Sequence, residues 1–214
     1  EQLKNVAYSI TQLSNVLLKL PLSQYPKNGP TYDYDKIKAI IDKTNKNRND
    51  WNILFGKGNS KILKSNWGNI EKSLDEMNKF DQNLSNMYPV HFDLHPHNIL
   101  FKNSKLCAFL DYDSIKTMSL SHALSFSALK LCRQAVCISS SQYPKKLSAI
   151  FIQELSQNLK GDKSWLDNIY VLAISEVLRR ISIIFDLSFK NQKQWNKVLH
   201  IQVNHLLEAK LLFN

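Results

Sequence analysis

The stretch HFDLHPHNILFKNSKLCAFLDYD, residues 91–113, opens with three of the chain's six histidines and ends on two aspartates. ILF at 99–101 and LCAFL at 106–110 are apolar runs of strand length, and the turn-prone KNSK lies between them, the pattern of a β-hairpin. With the turn centred between Ser104 and Lys105, Asn98 falls opposite Asp111. Two side-chain oxygens then converge at the open end of the hairpin, beside the loop that carries Asp93. Carboxylate and amide oxygens are the ligands a hard cation such as Mg²⁺ takes, completing its shell with water and phosphate.

A zinc site competes for the same residues. His91, Asp93, His95 and His97 would share one face of an extended segment, and imidazoles are good zinc ligands. Pro96 disturbs such a strand, no cysteine joins the set, and neither H-E-x-x-H nor H-x-H-x-D-H occurs here. Taken singly, each residue also has a plainer role. Asp93 can form a turn, Asn98 can cap the start of a strand, and Asp111 can end one at the surface.

Outward from this hairpin the chain is helical. Leu3, Val6, Ile10, Leu13, Leu17 and Leu20 recur at threes and fours, which predicts an amphipathic helix over 2–20 closed by Pro21. A Pro- and Gly-bearing loop follows, then a helix opening near Asp33 and a longer polar helical region from about 59 to 85. FGKGNS at 55–60 reads as a surface turn between helical segments, since it lacks the strand–loop–helix setting of a phosphate loop. Beyond residue 118 four apolar-periodic segments predict helices almost to the end. The parts are therefore 1–87, helical; 88–118, loop and hairpin; and 119–214, helical.

At 214 residues, 43% apolar and 21% charged, the chain has the composition of a soluble globular domain. Its net charge of +10 comes from lysines spread along the whole length, without the clustered basic and aromatic residues of a nucleic-acid site. Nucleic acid is therefore not an expected partner. Nor is a membrane: the most apolar run, 170–185, is interrupted by Glu176, Arg179 and Arg180, and no signal segment opens the chain. Three cysteines without C-x-x-C spacing suit a reducing cytoplasm.

His91-Phe92-Asp93, then Asn98, a hairpin and Asp111-Tyr112-Asp113 resembles the catalytic loop and metal-binding strand of the aminoglycoside phosphotransferase and choline kinase superfamily, relatives of protein kinases. The resemblance implies a mainly α (α+β) fold, the helical C-lobe of a protein-kinase-like enzyme with a small catalytic hairpin. It implies that Asp93 accepts or orients a substrate hydroxyl and that His91 steadies the loop. Asn98 and Asp111, with Asp113 in support, would hold the Mg²⁺ that bridges the phosphates of ATP. Protein kinases carry Lys two residues after the loop aspartate and Gly at the end of the metal motif; this chain has His95 and Asp113 there, and no A-P-E segment follows. That favours a small-molecule kinase. In the small-molecule families an acidic residue often opens the next helix, where this chain has Ser121 and His122.

The same resemblance calls for a β-rich N-lobe with a glycine-rich loop and a phosphate-gripping lysine, and neither is found in these 214 residues. The expectation is a C-lobe that folds alone but has little or no activity without its N-lobe, and that exposes an apolar face where the N-lobe would sit. The expected partners are ATP and a small hydroxyl-bearing acceptor, neutral or anionic rather than polycationic given the basic charge. The alternative is a non-catalytic helical interaction domain or a pseudokinase.

Overall fold

The computed structural model describes residues 1–25, 29–80, 87–102, 105–139 and 142–214. It is mainly helical with two small antiparallel sheets. No described helix is long and apolar enough to cross a membrane. The chain forms two compact units, each built from separated segments.

The first unit takes in Glu1–Thr31, Leu84–Tyr170 and Leu211–Asn214. Its helix α1, Gln2–Leu17, buries Val6, Ala7, Ile10 and Leu17 along one stripe, as the threes and fours require. It stops a turn short of the expected residue 20, and 3₁₀-type bonds at Lys19 and Leu20 tighten the chain before Pro21. Strands β1 (Met87–His91), β2 (Ile99–Lys102), β3 (Lys105–Phe109) and β4 (Ile115–Ser119) follow. β2 pairs with β3, and β1 pairs with β4 from Met87↔Ser119 to His91↔Ile115, so one hairpin is nested inside the other. Pro89 is tolerated in β1 because, among the described residues, that strand has a neighbour on one side only.

Helix α5, Leu120–Ser139, packs on β1, β4 and the turn Pro96–Asn98; α6, Pro144–Asn158, packs on α1 and α5. Asn15 ties α1 to the end of α6 with both arms of its amide. Its Nδ2 donates to the Asn158 carbonyl at 2.9 Å, and its Oδ1 accepts from the Lys160 amide at 2.8 Å. Ser148 Oγ donates to the Leu212 carbonyl at 2.5 Å, fastening the last residues to α6.

The second unit, Tyr32–Asn83 and Val171–Lys210, holds α2 (Tyr34–Lys46), α3 (Trp51–Phe55) and α4 (Lys57–Asn78), with most of α7 (Ile169–Phe189) and α8 (Leu199–Phe213). Asp33 caps α2 by accepting from the Lys36 amide at 3.0 Å. Gly56, at φ +82°, turns the chain from α3 into α4, and Gly58 lies in the first turn of α4, so FGKGNS is a helix junction. The polar helix expected to run to 85 ends at Asn78, and 81–85 lie outside the described residues. Trp51, Trp67, Phe55 and Phe185 form the aromatic centre, with ring centroids 4.8 to 6.1 Å apart. Buried Glu176 accepts from Arg179, Arg180 and the Tyr32 hydroxyl.

Candidate functional site

The nested hairpins set two chain crossings face to face: the loop Phe92–Asn98, from β1 to β2, and the turn 110–114, from β3 to β4. Two hydrogen bonds join them, and a third reaches the turn from the last residue of β1. The Phe92 amide donates to the Ser114 carbonyl at 3.1 Å, and the Leu110 amide donates to the Asn98 carbonyl at 2.9 Å. His91 Nε2 lies 2.7 Å from the Leu110 carbonyl oxygen. A carbonyl can only accept, so Nε2 carries the hydrogen, and the buried Nδ1 has no hydrogen-bond partner among the described residues. His91 therefore steadies the neighbouring crossing by a direct bond.

The register corrects the expected pairing. Ile99 faces Phe109 and Leu100 faces Ala108, so Asn98 lies opposite Leu110, not Asp111. The ladder shifts between Leu100 and Phe101 and then pairs Lys102 with Lys105. Ser104, on which the expected turn was centred, lies outside the described residues. Asp111 is thus one residue past the ladder. It is brought to the loop through Leu110, whose amide and carbonyl are both bonded there.

Asp111 adopts the left-handed conformation, φ 61° and ψ 54°, and its Oδ2 accepts from Ser114 Oγ at 2.5 Å. Few residues other than Gly, Asn and Asp take that conformation readily. The exposed Asp113 follows in the 3₁₀ turn, and no hydrogen bond or ion pair joins it to Asn98 or Asp111. Asn98 Nδ2 donates to the Asp93 carbonyl at 2.9 Å. With its donor committed there, the amide has its Oδ1 left to offer a cation, and hard cations take oxygen. Among the described residues no three His, Cys, Asp or Glu side chains stand close enough to share a metal.

Asp93 is half-buried, and two side chains meet its carboxylate. Lys130 Nζ, from α5, is 2.8 Å from Oδ1, and His95 Nε2 is 3.3 Å from Oδ2. Burial first, then the Lys130 charge, pulls the His95 pKa below the usual histidine range. The His95 and His97 rings stack edge to face at 5.4 Å. Lys130 belongs to none of the sequence motifs. Its signal was compositional: a single lysine in an apolar helix where every other residue from Leu120 to Cys132 is buried.

No protein-family model and no curated protein matches the chain.

His122, near the position where the resemblance implies an acidic residue, is buried in a serine cluster. Its Nδ1 lies 2.9 Å from Ser119 Oγ, which also accepts from the His122 amide at 3.4 Å and lies 2.8 Å from Ser121 Oγ. Ser119 is therefore a helix cap at the start of α5, and the cluster is closed to solvent. On the hairpin, Leu100 and Leu110 lie on one face and are 47% and 37% exposed, with Phe101 and Tyr112 also open. The apolar surface stands beside the two crossings.

Proposed function

We propose that this chain is the helical lobe of an ATP- and Mg²⁺-dependent phosphotransferase that acts on a hydroxyl of a small metabolite. The carrying observation is the double attachment of Leu110 to the loop, through His91 and the Asn98 carbonyl, which puts Asp111 beside the segment bearing Asp93 and Asn98. Three oxygen-bearing side chains on two facing crossings suit phosphoryl transfer, where positioning and charge neutralisation supply most of the rate.

In this reading Asp93 orients the acceptor hydroxyl. The hydroxyl oxygen attacks the γ-phosphorus as the bond from that phosphorus to the β,γ-bridging oxygen breaks. ADP leaves, and the hydroxyl proton passes to Asp93. Asn98 Oδ1 and Asp111 would hold a Mg²⁺, which neutralises charge on the phosphates. The left-handed backbone at Asp111 supports the assignment, because such outliers concentrate where a side chain must be aimed. The open Leu100 and Leu110 faces offer an apolar floor for the flat base of a nucleotide. The remaining phosphate-gripping groups are assigned to an N-lobe outside these residues.

The test is ADP release by the natural full-length protein across a panel of sugars, amino alcohols and anionic hydroxy compounds, with Asp93→Asn and Asp111→Asn alongside. Acceptor-dependent release lost in both variants supports the reading. Turnover unchanged in both defeats it, and retained cellular function in both would favour a helical interaction domain.

A further inference from the structure

We propose that Lys130 is a positioning residue for Asp93: α5 delivers an ammonium that fixes one carboxylate oxygen and leaves the other turned toward the acceptor. This rests on the phosphotransfer reading above and adds a residue to that site.

The first observation is where the lysine sits. Its side chain is 12% exposed, in a helix segment whose other residues are all buried, and an apolar residue would satisfy the same packing. Burying an ammonium is unfavourable unless it is paired. Lys130 is held by the Asp93 carboxylate at 2.8 Å and lies over the Phe126 ring at 4.6 Å. The lysine end of this pair is enclosed while Asp93 is half-buried, unlike the i,i+4 pair of Lys190 and Asp186, whose lysine stands 61% exposed.

The second observation is the asymmetry of the carboxylate. Oδ1 takes the ammonium, while Oδ2 faces His95 Nε2 at 3.3 Å. His95 Nδ1 accepts from the His97 amide at 3.3 Å, so the ring hydrogen sits on Nε2. With Nδ1 accepting, the ring meets Asp93 as a neutral donor, and Lys130 brings a cation to the same carboxylate. With the ammonium at Oδ1 and the His95 ring at Oδ2, the carboxylate is held against rotation about its terminal torsion. Its second oxygen keeps the direction that a proton transfer from the acceptor hydroxyl requires. Removing Lys130 should therefore slow the chemical step without weakening the binding of ATP or acceptor.

Two measurements decide this. In the natural full-length protein, with ATP and whichever panel hydroxyl compound is phosphorylated, Lys130→Met should lower kcat roughly 10- to 100-fold, the scale set by small misplacements of reacting groups. Both KM values should stay within about twofold, because the lost contact touches neither ligand. Lys130→Arg should recover most of kcat, because a guanidinium can bond the same oxygen. An unchanged kcat, a loss carried by KM, or an arginine variant no better than methionine, with Asp93→Asn still inactive, would overturn the role of Lys130 and leave the phosphotransfer reading standing. Absence of turnover in the wild type would remove both. Independently of turnover, ¹⁵N-lysine NMR of this chain should show one slowly exchanging ammonium that disappears in Asp93→Asn. Its absence would overturn the proposal even if Lys130→Met failed to fold.

Discussion

Asn98 and Asp93 are joined by a bond that spans their loop: the Asn98 Nδ2 donates to the Asp93 carbonyl at 2.9 Å, closing the segment over Leu94, His95, Pro96 and His97. The Asn98 carbonyl meanwhile accepts from the Leu110 amide, so one residue fastens its own loop and the opposite crossing. Asn98→Ala removes the first bond and leaves the Asp93 carbonyl part-buried, at a cost of about 1 kcal/mol. Hydrogen exchange at the Leu110 amide should quicken by roughly fivefold, the equivalent of that energy. An unchanged exchange rate would show that the loop does not depend on this bond.

Asp111 gives a ranking that packing alone would not. At φ 61° a Cβ is disfavoured unless the side chain is Asn or Asp, so Asp111→Asn should stay within about 0.5 kcal/mol of the wild type. Asp111→Ala should lose about 1 kcal/mol, while Asp111→Gly should be no less stable than Ala despite losing the Ser114 contact. Chemical denaturation of the three variants checks the order. An alanine variant as stable as asparagine would mean that the turn relaxes.

Glu176 makes the second unit acid-sensitive. Burial alone would raise its pKa, but hydrogen bonds and charge from Arg179, with Arg180, outweigh burial and hold it below the usual carboxylate range. A depressed folded pKa contributes stability that is full above the unfolded value, about 4.5, and is lost as pH falls through the folded one. Melting followed by tryptophan fluorescence, with Trp51 and Trp67 as reporters in that unit, should fall with pH below about 4.5. Glu176→Gln should cost about 3 kcal/mol at neutral pH and flatten that acid dependence. An equally acid-sensitive variant would place the cause elsewhere.

Cys132 is buried in α5, and burial pushes its thiol up to about 12, whereas Cys107 and Cys137 are exposed. A disulfide reagent at pH 8 should therefore titrate two thiols in the native protein and the third only on unfolding. Three rapidly reacting thiols would show that α5 opens readily.

The helices were legible because apolar spacing is a local signal. α2 opens at Asp33's cap, α5 to α8 fall in the region where threes and fours predicted helices, and α1 follows its stripe but ends at Leu17, short of Pro21. The hairpin was legible as two runs and a turn. Its register was not: the partners of Ile99 and Leu100 lie one residue from the expected ones and those of Phe101 and Lys102 two, because the ladder skips Cys107, and nothing in ILF or LCAFL marks it. The β1–β4 ladder was equally hidden. IKTMS carries a lysine and no clean alternation, and its pairing with MYPVH is fixed by the nesting of the chain. Lys130 reaches Asp93 from another element, a meeting that no spacing in sequence encodes.

The alternation of the chain between its two units has a consequence for anyone cutting it. Glu1–Thr31 belongs to one unit, Tyr32–Asn83 to the other, Leu84–Tyr170 to the first again, and the remainder divides at Lys210. A single peptide cleavage therefore cannot release either unit whole, and a truncation at any point between residues 32 and 210 cuts into both. On the ribosome, α6 must wait for Leu212 to emerge before Ser148 finds its acceptor, and the Asn59 amide must wait for the carbonyl of Asn196. The helices can form as they appear, but the closing of each unit belongs to the last few dozen residues. Mutations near 196–214 should thus show in the yield of folded protein well before they show in its chemistry.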